Sequence, residues 1–238
     1  MAIEISEAPS VVGSPAQDWK LLASRINSRL IRPDATYSNI EQLCTEATHL
    51  NCNSVVVSPA HIGVCASLLS GTPIKIGTLI GFPYGISTTT TKRYEALDAI
   101  RLGARTLELI MNVSALKSGD RVRVETEMRA LAELAHNNGT SLHVNIEVPL
   151  LSLEEKILAC QLAVASGSDG VSSGTGFSTM SSLPSDISLI RGVLGDKLDV
   201  VASDGIDTLE DVHLMMDAGA NRITTNSAAV ILESARKQ

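Results

Sequence analysis

Short apolar segments that alternate with amphipathic stretches constrain the fold of this chain more than any other feature. The predicted strands are Ser54–Ser58, Ile74–Ile80, Thr106–Asn112, Leu142–Val148, Gly170–Ser172, Asp199–Ser203 and Arg222–Thr225, and a shorter one near Arg25–Ile31 opens the series. Between them, apolar residues recur at helical spacing, as in Ile40, Leu43, Cys44, Ala47 and Leu50. Strands that alternate with helices predict a parallel sheet covered by helices.

The number of units predicts how this sheet is arranged. Eight strands and eight helices with short connections predict a single (β/α)₈ TIM barrel, and 238 residues suit a fold of about 250 residues. A doubly wound open sheet is the alternative. No linker or shift in composition indicates a second domain, so we expect an N-terminal tail at 1–16 and a barrel domain at 17–238. Residues Trp19–Ile26 are predicted to form a short helix at the barrel floor.

Composition and local signals refine this picture. Hydrophobic residues make up 44% of the chain but aromatic residues only 3%, so we expect an aliphatic core. Three predicted helices follow a capping hydroxyl with an acid three positions later. These pairs are Ser38 with Glu41, Ser152 with Glu155, and Thr208 with Asp211.

Charge and hydropathy exclude several classes of partner. The net charge of −7 argues against a nucleic-acid surface, which needs clustered Lys and Arg. The longest apolar stretches are much shorter than the roughly 20 residues of a membrane span, so no membrane partner is expected. The first residues, MAIEISEAPSVVGSP, carry no basic region before an apolar one, which predicts a cytoplasmic protein.

The cysteines give no indication of a metal or a cofactor. Cys44, Cys52, Cys65 and Cys160 lack CxxC spacing, so we expect buried, reduced thiols. A metal site of His143, Glu108 and Asp204 is conceivable, but no spaced motif such as HExxH supports it. We therefore predict no metal and no cofactor.

In barrels of this kind the reacting residues project from the carboxyl ends of the strands. That rule selects the positions to consider as a site. They are Asn27, Ser58, Thr78, Glu108, Asn112, His143, Glu147, Ser172, Ser203, Asp204 and Thr225.

At these positions the chain resembles the deoxyribose-phosphate aldolase family over about residues 19–236. The motifs that carry the resemblance are LIRPDAT (30–36), SVVVSP (54–59), TLIGFPYG (78–85), Lys92 with Glu95, GARTLELIMN (103–112), VSSGTGF (171–177), VVASDGI (200–206) and AGANRITTNS (218–227). The resemblance implies a barrel fold, a carbonyl substrate and a homodimer.

The resemblance also implies chemistry that this sequence does not reproduce. The family forms a Schiff base on a strand-six lysine, and the corresponding residue here is Ser172. Further family positions hold Val201 and His143 in place of lysines, and Glu108 and Asn27 in place of aspartates. Lys75, the one lysine within a predicted strand, is predicted to face the helices. We therefore expect no Schiff-base chemistry.

The family's phosphate site is altered as well. Glycines that present N–H groups to a phosphate in the family are replaced by a segment with two carboxylates, Ser203–Asp207. Carboxylates beside a phosphate dianion are unfavourable, so we expect an unphosphorylated substrate.

Polar residues nevertheless remain at the predicted barrel mouth. We predict acid–base catalysis by Glu108, His143 and Asp204, because crowded carboxylates and an imidazole suit proton transfer near neutral pH. The predicted substrate-binding residues are Asn27, Thr78, Asn112, Glu147, Ser172, Ser173, Thr175 and Ser203. The reaction would be C–C lysis, cyclisation, dehydration or isomerisation of a carbonyl compound. The alternative is a catalytically inactive barrel that binds a metabolite or a protein.

Overall fold

The computed structural model describes residues 15–177 and 181–237, and side chains from residue 19 onward. Eight parallel strands close into one barrel in chain order, which confirms the predicted (β/α)₈ fold. The strands are β1 (Ile26–Leu30), β2 (Ser54–Val57), β3 (Lys75–Ile80), β4 (Thr106–Ile110), β5 (Ser141–Asn145), β6 (Gly170–Ser172), β7 (Asp199–Ser203) and β8 (Arg222–Thr225).

Ten α-helices surround the barrel within the described residues. They are α1 (Pro15–Ala23), α2 (Tyr37–Leu50), α3 (Ile62–Leu68), α4 (Thr89–Leu102), α5 (Val113–Lys117), α6 (Arg121–Asn137), α7 (Leu153–Ala165), α8 (Pro184–Leu194), α9 (Leu209–Asp217) and α10 (Ala228–Arg236). Besides the eight helices predicted to follow the strands, they include α1, which corresponds to the predicted amino-terminal helix, and the short α5, which was not predicted and lies between β4 and α6.

The amino-terminal prediction differs from the structure in its boundaries. The first helix ends at Ala23, and Ile26 already belongs to β1, so the predicted helix at Trp19–Ile26 is shifted. This helix packs against α10, where the guanidinium of Arg236 lies 5.6 Å from the centroid of the Trp19 ring. The predicted tail at 1–16 lies outside the described residues, except for its last two.

Two of the three predicted helix caps are confirmed. The hydroxyls of Ser152 and Thr208 accept hydrogen bonds from backbone N–H groups three residues later, and both form capping boxes. The prediction for Ser38 is wrong because α2 begins at Tyr37, and Thr36 caps it instead with Asn39. The four cysteines are buried and unbridged, as predicted.

Side-chain parity divides each strand between two environments. The outward positions, such as Val55 and Leu107, join one continuous aliphatic core with the surrounding helices. Inside the barrel, only a small apolar cluster forms, from Val56, Leu79 and Ile110. The rest of the interior is largely polar, which is unusual for a barrel whose centre is normally filled by branched aliphatic residues.

The strand register orders the inward side chains into layers contributed by alternate strands. There are five layers. Counted from the floor to the mouth, the first contains Lys75, Ser141 and Asp199, the second Ser54, Thr106, Gly170 and Arg222, the third Asn27, Gly77, His143 and Val201, the fourth Val56, Glu108, Ser172 and Thr224, and the fifth Arg29, Leu79, Asn145 and Ser203. Glu108 and Ser172 thus lie at the same height, with His143 one layer below them.

Candidate active site

Arg29 lies across the barrel mouth. It follows Asn27 by two residues on β1, so it shares the inward parity, and its side chain is buried. Its Nε donates to Asn226 Oδ1 and its Nη1 donates to the backbone oxygen of Thr175, both at 3.1 Å. These bonds join β1 to the segments that follow β6 and β8.

Four carboxylates surround this guanidinium. Burial lowers the pKa of Arg29, and the negative charges of Glu108, Asp204, Asp207 and Glu147 oppose that shift. Guanidinium remains charged in proteins, so the mouth has one permanent cation among several titratable acids. Such an arrangement suits proton transfer beside a developing negative charge.

Glu108 is the acid placed deepest in the barrel. Its Oε1 accepts a hydrogen bond of 2.6 Å from Asn145 Nδ2. Burial raises the pKa of Glu108, while the hydrogen bond from Asn145 and the positive charge of Arg29 oppose the increase. A carboxyl group with a raised pKa exchanges protons more readily near neutral pH than an ordinary glutamate does.

Two hydroxyl groups beside this acid are free to bind a ligand. The side-chain oxygens of Ser172 and Ser203 are buried and make no hydrogen bond within residues 15–177 and 181–237. Buried hydroxyls nearly always have a partner, so an unpaired one indicates a place for water or a ligand oxygen.

Backbone strain is concentrated at two of the predicted site residues. Glu147 has φ of 52° and Asp204 has φ of 79°, conformations that cost a non-glycine residue about 1–3 kcal/mol. Glu147 follows the end of β5, where its Oε1 accepts a hydrogen bond from the N–H of Thr175. Burial raises the pKa of both Glu147 and Asp204. These backbone conformations therefore place the carboxyl groups of Glu147 and Asp204 at the mouth.

His143 lies toward the floor of the barrel, not at the mouth as the sequence predicted. Its Nε2 is 3.8 Å from Asp199 Oδ2, at the amino end of β7. Burial lowers the pKa of His143, and the charge of Asp199 opposes that effect. It therefore does not converge with Asp204, because His143 lies in the middle of the five layers while Asp204 follows the mouth end of β7.

Three predicted substrate-binding residues are hydrogen-bonded to neighbouring parts of the scaffold. Asn27 Oδ1 accepts hydrogen bonds from Asn53 and Ser54 below it. The hydroxyl of Thr78 donates to the carbonyl oxygen of Val57, on a neighbouring strand. Asn112 caps α5 through its side-chain oxygen. Their positions indicate roles in the scaffold.

The serine and threonine after β6 stay close to the mouth. The hydroxyl of Ser173 donates to the carbonyl oxygen of Ser203 at 3.1 Å and accepts from the N–H of the same residue. Thr175 accepts a hydrogen bond from the N–H of Phe177 through its hydroxyl. These bonds fix the segment that carries the Arg29 acceptor.

Two cavities border these residues. A groove of about 490 Å³ at the mouth is lined by Arg29, Asp204, Thr175, Phe177 and residues of α2. A second cavity, of about 160 Å³, occupies the barrel interior and includes Glu108 and His143 in its lining. Arg29 lines the mouth groove, and Glu108 lines the interior cavity.

The described residues add two findings on metals and membranes. Within 15–177 and 181–237, no three His, Cys, Asp or Glu side chains lie close enough together to hold a metal ion. In the same residues no helix is long and apolar enough to cross a membrane.

Comparisons with known proteins identify the family. A sequence model described as DeoC/LacD family aldolase matches residues 17–174. The chain belongs to this aldolase family. The deoxyribose-phosphate aldolase of Geobacillus sp. (strain WCH70) is 41% identical over 212 residues, which cover 89% of this chain and 95% of the relative. That of Thermoanaerobacter sp. (strain X514) is 37% identical and covers 91% of this chain and 97% of the relative.

Solved structures agree with this assignment. The structure described as "QR15, an Aldolase" has a TM-score of 0.87 at 30% identity, and the match covers 91% of this chain and 96% of that one. The tetrameric deoxyribose phosphate aldolase from Aeropyrum pernix has a TM-score of 0.86 at 29% identity, with 94% and 92% covered. Relatives of this aldolase family are lyases, so the chain is assigned to a lyase family.

None of the described lysines lines the mouth groove. Lys92 is buried between α4 and α6, where its Nζ bonds to Glu127 Oε1 and to the carbonyl oxygen of Ile110. The prediction that Lys75 faces the helices is wrong: it has the inward parity of Gly77 and borders the interior cavity at the floor. The other described lysines are Lys20, Lys117, Lys156, Lys197 and Lys237, none of which is in a strand.

Sequence reasoning missed Arg29. Its signal was present, because a charged residue at an inward position of a predicted strand requires a polar interior. The family resemblance does not single out Arg29 among the positions at which this sequence differs from the family. Only the tertiary structure shows that the Arg29 side chain reaches the segments after β6 and β8 and lies among the acids.

Proposed function

We propose that this protein is a lysine-independent aldolase of the DeoC family, which cleaves or forms a C–C bond in an unphosphorylated carbonyl compound by acid–base catalysis. The observation that carries the proposal is the group formed by Glu108, Arg29 and the unpaired hydroxyl of Ser172. Ser172 occupies the position where the family resemblance implies the Schiff-base lysine. Instead of that lysine, the chain has the carboxyl group of Glu108, the guanidinium of Arg29 and the unpaired hydroxyl of Ser172.

The proposed reaction begins with a β-hydroxy carbonyl compound. Glu108, ionised, accepts the proton of the β-hydroxyl group, the bond between the α and β carbons breaks, and an aldehyde leaves. The electron pair passes to the remaining carbonyl group and forms an enolate. Protonated Glu108 then returns the proton to the α carbon, which yields the second carbonyl product and restores the carboxylate.

The enolate oxygen needs stabilisation that an imine would otherwise supply. Arg29 provides a permanent positive charge, and its Nη2 makes no hydrogen bond within the described ranges 15–177 and 181–237. The hydroxyls of Ser172 and Ser203 are available as further donors. Fixed donors aimed at a developing negative charge are usually the largest contribution to catalysis of this kind.

The remaining acids fit supporting roles in the proposal. Asp204 lines the mouth groove beside Arg29 and would bind a hydroxyl group of the substrate. Glu147 holds the N–H of Thr175, whose carbonyl oxygen holds Arg29, so it acts as a positioning residue. Asp204 and Asp207 disfavour a phosphorylated substrate, because both add negative charge near the groove.

Borohydride trapping combined with a C–C bond assay tests this function. Purified protein is incubated with acetaldehyde and a set of unphosphorylated aldehydes, and new aldol products are measured by NMR. Pretreatment with acetaldehyde and borohydride inactivates any contaminating Schiff-base aldolase but should leave this activity and the protein mass unchanged. Loss of the activity on pretreatment would refute the lysine-independent reaction.

Variants assign the activity to the site. Glu108→Gln should abolish product formation without unfolding the protein, as checked by circular dichroism, whereas the surface control Glu125→Gln should retain activity. If no carbonyl compound reacts but a ligand raises the melting temperature, the alternative of a catalytically inactive binding module is supported instead.

Assembly and location complete the proposal. We propose a homodimer in the cytoplasm, with the barrel domain at 17–238 and a tail at 1–16. A tetramer is described for the Aeropyrum pernix relative. Light scattering after size-exclusion chromatography measures the mass of the assembly, and a mass other than two chains of 25.1 kDa contradicts the dimer.

A further inference from the structure

The interior cavity connects the barrel floor with the proposed acid. Its lining at the amino ends of the strands includes Lys75, Asp169, Asp199 and Arg222, while Glu108, Val201 and Thr224 line its deeper part. With a volume of about 160 Å³, it has room for roughly five water molecules at about 30 Å³ each. Its walls are polar enough to hydrogen-bond such waters.

Two inward glycines let the groups around this cavity approach one another closely. A Cβ atom on Gly170 would lie 2.9 Å from Asp199 Cβ and 3.0 Å from His143 Cδ2, so any side chain there would displace both residues. Gly77 lines the cavity, and a Cβ there would approach Val56 Cγ2 to 3.3 Å. The position of His143 beside Asp199 therefore depends on the absence of a side chain at residue 170.

His143 links the two ends of the cavity. It is the register partner of Glu108 on the neighbouring strand, and both side chains line the cavity. On its other side, its Nε2 is 3.8 Å from Asp199 Oδ2, near the floor. The charged groups that act on this imidazole are Asp199, Arg222, Asp169 and Lys75, all at the floor.

The space that reaches Glu108 is the interior cavity. Arg29 lies one layer above Glu108, on the mouth side, and is held in place by Thr175 and Asn226. Arg29 lines the mouth groove, whereas Glu108 lines the interior cavity together with the residues of the floor.

We infer that Glu108 exchanges its proton with solvent through the floor of the barrel, with His143 as the relay. This inference rests on the proposed function of Glu108. The protonated carboxyl passes its proton, through a cavity water, to the unprotonated ring nitrogen of His143. The other ring nitrogen releases its proton to water beside Asp199, so the imidazole ends neutral and the carboxylate is restored.

Thiol accessibility tests the floor entrance without requiring activity. Val201→Cys places a nearly isosteric thiol in the cavity lining, and Val200→Cys is the matched control because Val200 faces the helices. A small methanethiosulfonate reagent should label position 201 about tenfold faster than position 200. Adding Thr106→Met, which narrows the floor end, should slow labelling at 201 to the control rate.

Deuterium exchange tests the relay. With the donor carbonyl compound alone in D₂O, Glu108 removes an α hydrogen and returns it, and exchange through the relay replaces it with deuterium. His143→Gln keeps a polar side chain without a titrating nitrogen, and it should slow this exchange about tenfold while aldol turnover is unchanged. His143→Ala should regain part of the exchange with added imidazole, which a merely structural role would not produce. Thermal unfolding checks that both variants fold.

The outcomes separate the inference from the function it rests on. Labelling at position 201 that Thr106→Met does not slow refutes the floor entrance, whether or not the protein is active. Deuterium exchange in His143→Gln as fast as in the wild-type protein refutes the relay while the proposed function stands. Absence of aldol activity in the wild-type protein refutes the proposed function, and the labelling result still decides the entrance.

Discussion

Replacing Arg29 by methionine should destabilise the protein to an extent that depends on pH. The substitution keeps the length and the apolar part of the side chain but removes two charged hydrogen bonds, to Asn226 and Thr175. It also leaves Glu108 and Asp204 without the cation that lowers their pKa values. Hydrogen bonds made by a charged group contribute about 1.5–3 kcal/mol each, and two that share one guanidinium are not fully additive, so their loss should cost about 3–5 kcal/mol.

The pH dependence follows from the carboxyl groups. Burial raises the pKa of Glu108 above its ordinary value of 4.5, and loss of Arg29 raises it further. A group with a raised pKa in the folded state stabilises the protein at low pH, and that stability is lost as pH rises through the folded pKa. The variant should therefore lose most stability at neutral pH, and the loss should shrink toward pH 4.5, where the carboxyl groups are protonated.

Urea denaturation at several pH values between about 5 and 8 measures this effect. At neutral pH the melting temperature should fall by roughly 6–20 °C, because about 1 kcal/mol shifts it by 2–4 °C in a domain of this size. Arg32→Met is the matched control, since Arg32 and Asp34 form an exposed pair at 3.4 Å worth less than about 1 kcal/mol. A loss from Arg29→Met that is equal at every pH, or no larger than that of Arg32→Met, would refute the reasoning.

Three further predictions test individual contacts. Glu108→Gln should stabilise the protein increasingly as pH rises above 4.5, by about 1.4 kcal/mol for each unit by which burial raises the Glu108 pKa, and chemical denaturation measures this gain. Ser172→Lys should yield a borohydride-trapped adduct with acetaldehyde, detected as a mass increase on residue 172, because an amine then lies beside Glu108; an unmodified lysine in a folded variant contradicts the geometry. Lys92→Met should cost about 3–5 kcal/mol by leaving Glu127 buried alone, and Lys92→Met with Glu127→Leu should recover most of it in thermal unfolding; equal instability of the two variants would disprove the pairing.

The architecture was predictable because its signals are local. Alternating periods of two and 3.6 residues mark strands and helices, and the only compact way to cover eight parallel strands of this length is a closed barrel. Helix caps at Ser152 and Thr208 were correct for the same reason, since a capping box lies within four residues. The error at Ser38 arose because several hydroxyl residues precede α2, and only the backbone path selects Thr36.

The site was predictable only in part. Glu108 and Ser172 could be placed at one height because they lie on strands of known order, and the register brings them together. Glu147 and Asp204 depend on positive φ angles just beyond their strands, which a sequence pattern of strand residues does not reveal.

The sequence by itself determined the barrel, its order of strands and the chemical types of residue that face its interior. The tertiary structure decided at which end each interior residue acts, because barrel closure staggers neighbouring strands and sets the height of every side chain. That stagger places His143 one layer below Glu108, and the pleat of β3 places Lys75 on the inward side with Gly77. The stagger also brought Arg29 of β1 against the ends of β6 and β8, a contact between residues nearly 200 positions apart that no local pattern contains.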